Sequence, residues 1–463
     1  MKFDRRVLLS TIAAVAILVS SAAADEASST IKRIAAATKN SIALIRCKTT
    51  DELGSRITVG TGISISPQIM MTYAVDSRIR TDKIESIEII VPGVERQSFS
   101  GKLLGVDPAT GLSFVQVPSS YPWRPIAFAK SCKLELGDMV VSAGINIGDA
   151  ELSQRLGCAY IANLTRTPTM VYSVTGGTLT GPGSVVFNAA GQAIGLVTSQ
   201  PYVDCEVMIS RKNMNMPLRN DEFTIAFLPV DEFVYILQQI PQDGKARRLP
   251  WIGVQRFAPV QKTLMEAKGL TTPAVMVDQI IPSGQAAAMG LANRDLIIAV
   301  NGQPLQAFAT PELAAMNFTK WLMSRTVGEK VRFTVLQGSQ KKDIELTLLP
   351  MPKMPSEADK LYVKKLGLLM REKVALDRHM DDSPAADAQG LLVLSVVPNS
   401  PADRAGLKAG DVVVGINRKE VPTAADGKKA IEAAISNKPP LDLLMIVQRG
   451  ADRLRLTIET PDN

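Results

Sequence analysis

The sequence predicts a mainly β protein in three units: a β-barrel or sandwich over the first half of the chain, then two copies of one α+β unit. Three observations predict it. Residues from about 30 to 236 carry many short β-rich runs separated by Gly- and Pro-containing turns. Two later stretches repeat each other at a spacing of about 100 residues, which is the size of a domain and not of a solenoid repeat. Two Pro- and charge-rich segments, 237–250 and 351–361, fall where linkers between three such units belong.

The chain opens with a segment that is not part of the fold. Lys2, Arg5 and Arg6 precede the apolar run Val7 to Val19, and Ala22-Ala23-Ala24 supplies a small-residue cleavage site. This reads as a signal peptide, residues 1–24, and predicts a periplasmic or secreted protein. "DRRVLL" matches a twin-arginine signal only imperfectly, at Asp4 and Leu8. No later window approaches about 18 uninterrupted apolar residues, so no membrane span is expected after cleavage.

The first domain, 25–236, contains "SIALIRC", "GTGISIS", "IESIEIIV", "LSFVQV", "DMVVSAG", "AIGLV" and "FTIAFLPV" as strand candidates. "PVDEFVYILQQI" reads as a closing helix with Asp231 as its N-cap. The second domain, 251–350, holds "VMVDQIIPSGQAAAMGLANRDLIIAVNGQPL", and the third, 362–463, holds "LLVLSVVPNSPADRAGLKAGDVVVGINRKEV". Each runs strand, Pro turn, Ala-rich helix, Gly-Leu, Asp, strand and Asn turn. Each then has a longer helix, "PELAAMNFTKWLMS" or "DGKKAIEAAIS", and a final strand pair.

Composition excludes several functions. The net charge is +7, but 52 basic and 45 acidic residues are interspersed and the basic spots are short, so nucleic acid is not an expected partner. The cysteines are Cys47, Cys132, Cys158 and Cys205, none in a C-x-x-C. They are disulfide candidates in an exported chain, and at least one disulfide is expected in the first domain. Their pairing stays open, and buried free thiols are the other reading. The chain's one histidine, His379, stands with Asp377, Asp381 and Asp382 in a polar loop, which reads as solvated and not as a metal site. "GGTLTGPGS" lacks the Gly-Lys-Ser/Thr of a phosphate loop. No metal and no cofactor are predicted.

"AMGLANRDLIIAVNG" and "RAGLKAGDVVVGIN" resemble PDZ domains. With a signal peptide and a β-rich domain ahead of them, the order resembles the HtrA (DegP-like) serine proteases. "GTGISIS" with "MMTYAV", "LLGVDPATGLSFVQV", "LELGDMVVSAG" and "NAAGQAIGL" extend the resemblance through the first domain. It implies a chymotrypsin-like double β-barrel followed by two α+β PDZ domains. A protease of this class needs a nucleophilic hydroxyl, a base and an orienting acid. The resemblance places Val75 at the histidine, Gly111 at the aspartate and Pro182 at the serine. Ser184, two residues on, is the fallback nucleophile, but the oxyanion-hole donor two residues before it would be Pro182, which has no N–H. The expectation is therefore a non-catalytic homologue.

What remains is peptide binding. A PDZ domain takes a chain terminus as an added strand and holds its carboxylate in a backbone nest. The resemblance puts these loops at Ile252-Gly253-Val254 and Leu366-Gly367-Leu368. Groove-lining helix candidates are Leu313, Met316 and Phe318 in the first copy and Ala430, Ile431 and Ala434 in the second. Arg294 departs from the glycine that precedes the domain's aspartate, where the second copy keeps Gly410. The expected function is binding of peptide C-termini or unfolded polypeptides as a scaffold, chaperone-like holder or regulator. The partners include a trimer of copies, by resemblance, or an active protease relative. The alternative is a serine endopeptidase with a rearranged site.

Overall fold

A computed structural model describes residues 27–460 except 76–79, 94–96, 147–151, 199–207, 212–213, 218–224, 282–283, 381–386 and 437–441. The expected signal peptide, 1–24, lies outside the described residues, as does Cys205.

Six strands form the first barrel: β1 (Ile42–Asp51), β2 (Gly54–Ser66), β3 (Ile69–Thr72), β4 (Ile84–Ile90), β5 (Ser98–Val106) and β6 (Ser113–Gln116). They pair in the order β5-β4-β1-β2-β3-β6, and β6 closes back onto β5. Strand β1 shows why the run "SIALIRC" makes a barrel wall. Side chains alternate across a strand, so Ala43, Ile45 and Cys47 enter one core cluster. Ile42 and Leu44 point the other way, into the larger cluster shared with the second barrel. Phe114 and Val115 on β6 divide in the same manner.

The second barrel is closed from β7 (Met139–Asn146), β8 (Ser153–Thr167), β9 (Thr169–Thr175), β10 (Val185–Asn188), β11 (Ala193–Thr198) and the later strand Ala226–Pro229. Between the last two, β12 (Met208–Arg211) and β13 (Met214–Pro217) pair with each other, which makes Ala226–Pro229 strand β14. The expected closing helix is shorter than its sequence suggests. Val230–Glu232 is a 3-10 turn and only Val234–Leu237 is α-helical. Asp231 does not cap it: its carboxylate accepts the Cys132 N–H at 2.7 Å, a bond to the segment between the barrels.

The segment 237–250 is fastened rather than free. Its β15 (Lys245–Ala246) adds in parallel to β5, and β16 (Pro250–Trp251) pairs with a later strand, Leu349–Pro350. The first PDZ sheet follows, in the order β17 (Val254–Pro259), β18 (Val275–Ile280), β19 (Leu296–Val300), β21 (Lys330–Gln337) and β22 (Gln340–Thr347), with β20 (Gln303–Pro304) beside β19. Its long helix is Pro311–Met323, N-capped by Thr310. With Leu349–Pro350 as β23, the second PDZ sheet runs β24 (Lys360–Val363), β25 (Leu368–Glu372), β26 (Leu391–Val396), β27 (Val412–Ile416), β29 (Leu443–Arg449) and β30 (Asp452–Ile458). Strand β28 (Lys419–Glu420) lies beside β27. Its helix is Ala424–Ile435, N-capped by Thr423. Lys360 and Leu361, expected in the second linker, belong to this sheet.

The domains are bound to one another by charged contacts. Arg80, after the first barrel's β3, bonds Glu52 and reaches Asp359 at 2.7 Å and the Ala358 carbonyl at 3.3 Å. Lys320 on the first PDZ helix pairs with Glu232 and donates to the Pro168 carbonyl at 3.2 Å. Arg247 bonds Asp107 in the barrel and the carbonyls of Met323 and Arg325 at the end of that helix.

Candidate functional site: the barrel cleft and the two PDZ grooves

The segments that carry Val75, Gly111 and Pro182 meet at the ring of Tyr73. Val75 ends the turn after β3, is buried, and its carbonyl accepts the Ser113 hydroxyl at 2.8 Å. Gly111 and Gly183 both have left-handed backbones, φ 75° and 81°. The ring of Tyr73 stands between them: a methyl group added at Gly111 would lie 3.7 Å from its Cε1, and one added at Gly183 would lie 3.3 Å from its Cδ2. Burial, and then the nearby Asp107 carboxylate, hold the Tyr73 phenol above the ordinary tyrosine range. The motif reading passed over Tyr73, although "MTYAV" places it two residues before Val75.

Pro182 is exposed, but Ser184 is not. Its Oγ is buried with no hydrogen-bond partner among the described residues, and the Thr180 hydroxyl is in the same state. Gly144 on β7 makes the room, since a Cβ there would come within 1.9 Å of the Ser184 Oγ. The serine faces the wall of the second barrel and not the cleft. The one histidine in the chain, His379, belongs to the helix Asp377–Met380 of the second PDZ region, so no His–Ser pair forms within this barrel. Asp377, two residues before His379, is held by Arg371 through bonds of 2.6 and 2.7 Å.

Alongside Tyr73 runs a cleft of about 1070 Å³. Thr110, Pro168 and Glu232 line its barrel side, and Met316, Lys320 and Phe308 line its PDZ side. Of the helix candidates, Met316 is exposed toward this cleft, whereas Phe318 is a core residue stacked edge-on against Phe257 at 4.9 Å.

The two PDZ grooves differ. In the first, Gly253 (φ 88°) turns the loop tightly against Gly284 and Gln285, and β17 ends the sheet. Ile252 and Gly253 accept from the Ala286 and Ile281 N–H groups at 3.0 and 2.9 Å. In the second, β25 is flanked on both sides, by β26 and by β24, and the Gly367 N–H donates to the Lys364 carbonyl at 3.1 Å. Ile431 and Ala434 are core residues there.

The expected disulfide is absent among the described residues. Cys47, Cys132 and Cys158 are free thiols. The cause is their placement: Cys47 faces the first barrel's core and Cys132 packs into the large cluster, against which Cys158 on β8 rests. Burial, and then Asp231, push the Cys132 thiol up to about 12.

Two closed six-stranded barrels, a cleft at their rim and PDZ-type sheets behind them define a trypsin-like protease fold with PDZ domains. A PDZ-domain profile matches residues 392–449. A probable periplasmic serine endoprotease DegP-like from Pseudomonas fluorescens is 26% identical over 365 residues, covering 76% of this chain and 70% of that protein. One of the same description from Pseudomonas putida is 27% identical over 366 residues, covering 73% of this chain and 67% of that protein. The solved HtrA-type protease AlgW with tripeptide shares the fold at 18% identity and a TM-score of 0.51, over 70% of this chain and 98% of that one. Over about three quarters of its length the chain is similar to HtrA/DegP-like serine proteases, and it carries a PDZ domain. These relatives overturn the expectation that it is not an enzyme, because they carry the endoprotease description over about three quarters of the chain. That expectation rested on three positions aligned through short motifs. Among the described residues, no helix is long and apolar enough to cross a membrane.

Proposed function

We propose that this protein is exported to the periplasm and captures peptide C-termini or unfolded polypeptide through its first PDZ domain. The observation that carries the reading is the position of β17 at the edge of its sheet, beside the helix Pro311–Met323 and after the tight Gly253 turn. An edge strand offers unpaired N–H and C=O groups to an incoming strand. The cleft lined by the same helix reaches the barrel rim at Tyr73. Hydrolysis of a captured chain is the second reading, favoured by the description of the relatives. It calls for a rearranged site, since the Ser184 hydroxyl is buried.

The test uses the full-length protein and a labelled peptide with an apolar last residue. Binding on the order of micromolar is expected, with slowed amide exchange across Val254–Pro259. Amidating the peptide weakens it by removing the charge, and Gly253→Val weakens it by straining a left-handed backbone. Equal binding of free and amidated peptides would replace C-terminal recognition with capture of internal segments. Absence of any protection at Val254–Pro259 would refute the groove itself. Casein cleavage by the same preparation tests the second reading.

A further inference from the structure

We infer that the peptide groove of the second PDZ domain already has an occupant, the chain's own segment Lys360–Val363, and that Arg80 of the first barrel holds it there. This goes beyond peptide capture by the first domain and rests only on reading β25 and the helix Ala424–Ile435 as the walls of a PDZ groove.

The segment takes the position of an added strand. It runs antiparallel to β25, with Lys360 opposite Arg371 and Val363 opposite Leu368. Its side chains follow the period of two that such a ligand requires. Leu361 is 7% exposed and lies in the domain core. Val363, two residues on and therefore on the same face, packs against that core. The groove wall is shaped to receive Leu361: a Cβ at Gly427 on the helix would lie 3.2 Å from the Leu361 Cδ2. At the end where a peptide carboxylate would sit, the Lys364 carbonyl accepts the Gly367 N–H instead. Gly367 has no spare room, since a Cβ there would come within 2.4 Å of the Ser400 Cβ.

The upstream end is tied to the protease domain. The Glu372 N–H donates to the Asp359 carbonyl at 2.8 Å, which extends the ladder by one residue. Arg80 then clamps the Asp359 carboxylate and the Ala358 carbonyl while also bonding Glu52. The Arg80 side chain is only 10% exposed, while the Asp359 side chain it holds is 49% exposed. The first PDZ domain has no such arrangement: its preceding strand β16 pairs with β23 and leaves β17 at the edge. The second groove therefore accepts an internal strand with aliphatic residues at alternate positions, and it is closed to external peptides while Arg80 grips Asp359.

The experiment follows amide exchange in full-length protein, alone and with a peptide copying residues 356–364 (SEADKLYVK), blocked at both ends. In the unaltered protein, 360–363 and 368–372 are expected to exchange slowly and the copy peptide to leave 368–372 unchanged. Arg80→Ala should speed exchange at 360–363 about tenfold, the worth of one charge-assisted bond. It should also let the copy peptide protect 368–372, with 391–396 unaffected. Leu361→Asp should do the same by unseating the strand. If that variant also loses protection at 391–396, it has unfolded the domain and Arg80→Ala decides alone. Fast exchange at 360–363 in the unaltered protein would overturn the proposal. So would copy-peptide protection of 368–372 that is no greater in Arg80→Ala than in the unaltered protein. Protection of 254–259 by a free C-terminal peptide, read in the same samples, reports separately on the first PDZ domain.

Discussion

Asp107 and Arg247 form a buried ion pair between the first barrel and the segment leading to the first PDZ domain, with the guanidinium at 2.7 and 2.8 Å from one carboxylate oxygen. Asp107 is fully buried, and its other oxygen accepts from Thr110 and from the Tyr235 hydroxyl. The Gly111 N–H donates to the Asp107 carbonyl, so the pair also braces the turn beside Tyr73. Removing one partner of a buried pair leaves the other charged and unmatched. Arg247→Ala is expected to cost about 3 kcal/mol and to loosen the PDZ helix, whose last carbonyls it also holds. Urea denaturation followed by Trp321 fluorescence checks this, and an unchanged midpoint would show the pair to be dispensable.

Ser184→Ala should be neutral or stabilising by about 1 kcal/mol, because it removes a buried hydroxyl with no partner. A fluorophosphonate probe should not label Ser184, and any casein cleavage should survive the substitution. Loss of cleavage in Ser184→Ala alone would show that the hydroxyl reaches substrate after all.

Arg294 has φ 73°, a left-handed conformation that costs a non-glycine residue about 1 kcal/mol, whereas Gly410 fills the matching place in the second copy at φ 91°. Arg294→Gly should stabilise the first PDZ domain by about that amount and raise its melting temperature by several degrees. Calorimetry showing a fall would mean that the arginine side chain contributes more than its backbone costs.

Asp377 makes the second PDZ domain acid-sensitive. Burial alone would raise its carboxyl, but the bonds from Arg371 and the Val374 N–H outweigh it, and the net displacement is downward. Stability from a depressed carboxyl is complete above its unfolded pKa, about 4, and is lost as pH falls through the folded value. The domain's urea midpoint should therefore drop below about pH 4. Asp377→Asn should start lower and lose that part of the pH dependence; an identical profile would assign the acid transition to other groups.

The three described thiols should all be titratable in denatured, unreduced protein. In the native protein Cys158, half-buried, should react first, and Cys132 last because burial and Asp231 suppress its thiolate. Fewer than three thiols after denaturation would restore a disulfide.

Local pattern carried much of this structure. The alternation in "SIALIRC" is enough to build a barrel wall, and the first PDZ helix starts at Pro311 as its sequence suggests, whereas Thr423 starts the second at Ala424, two residues before the stretch that reads as helix. Asp231 read equally well as a cap, but a carboxylate beside a helix start bonds whichever donor the fold delivers, here the Cys132 N–H. Ser184 could be named from its glycine-rich loop; only the missing side chain at Gly144, forty residues earlier in the chain and across the barrel, shows which way it faces.

The amino-acid sequence by itself determined the mainly β class and the likeness to HtrA/DegP-like serine proteases, because periodicity and short motifs are local and survive without knowledge of contacts. The tertiary structure decided which groove is open. Lys360 and Leu361, which open the strand Lys360–Val363, fall in a Pro- and charge-rich stretch that reads as linker. The segment becomes a strand because β25 offers it an unpaired edge, Gly427 leaves room for Leu361, and Arg80, 279 positions before Asp359, holds its upstream end. Those partners are distant in sequence, and strand pairing and ion pairing depend on where groups meet in space.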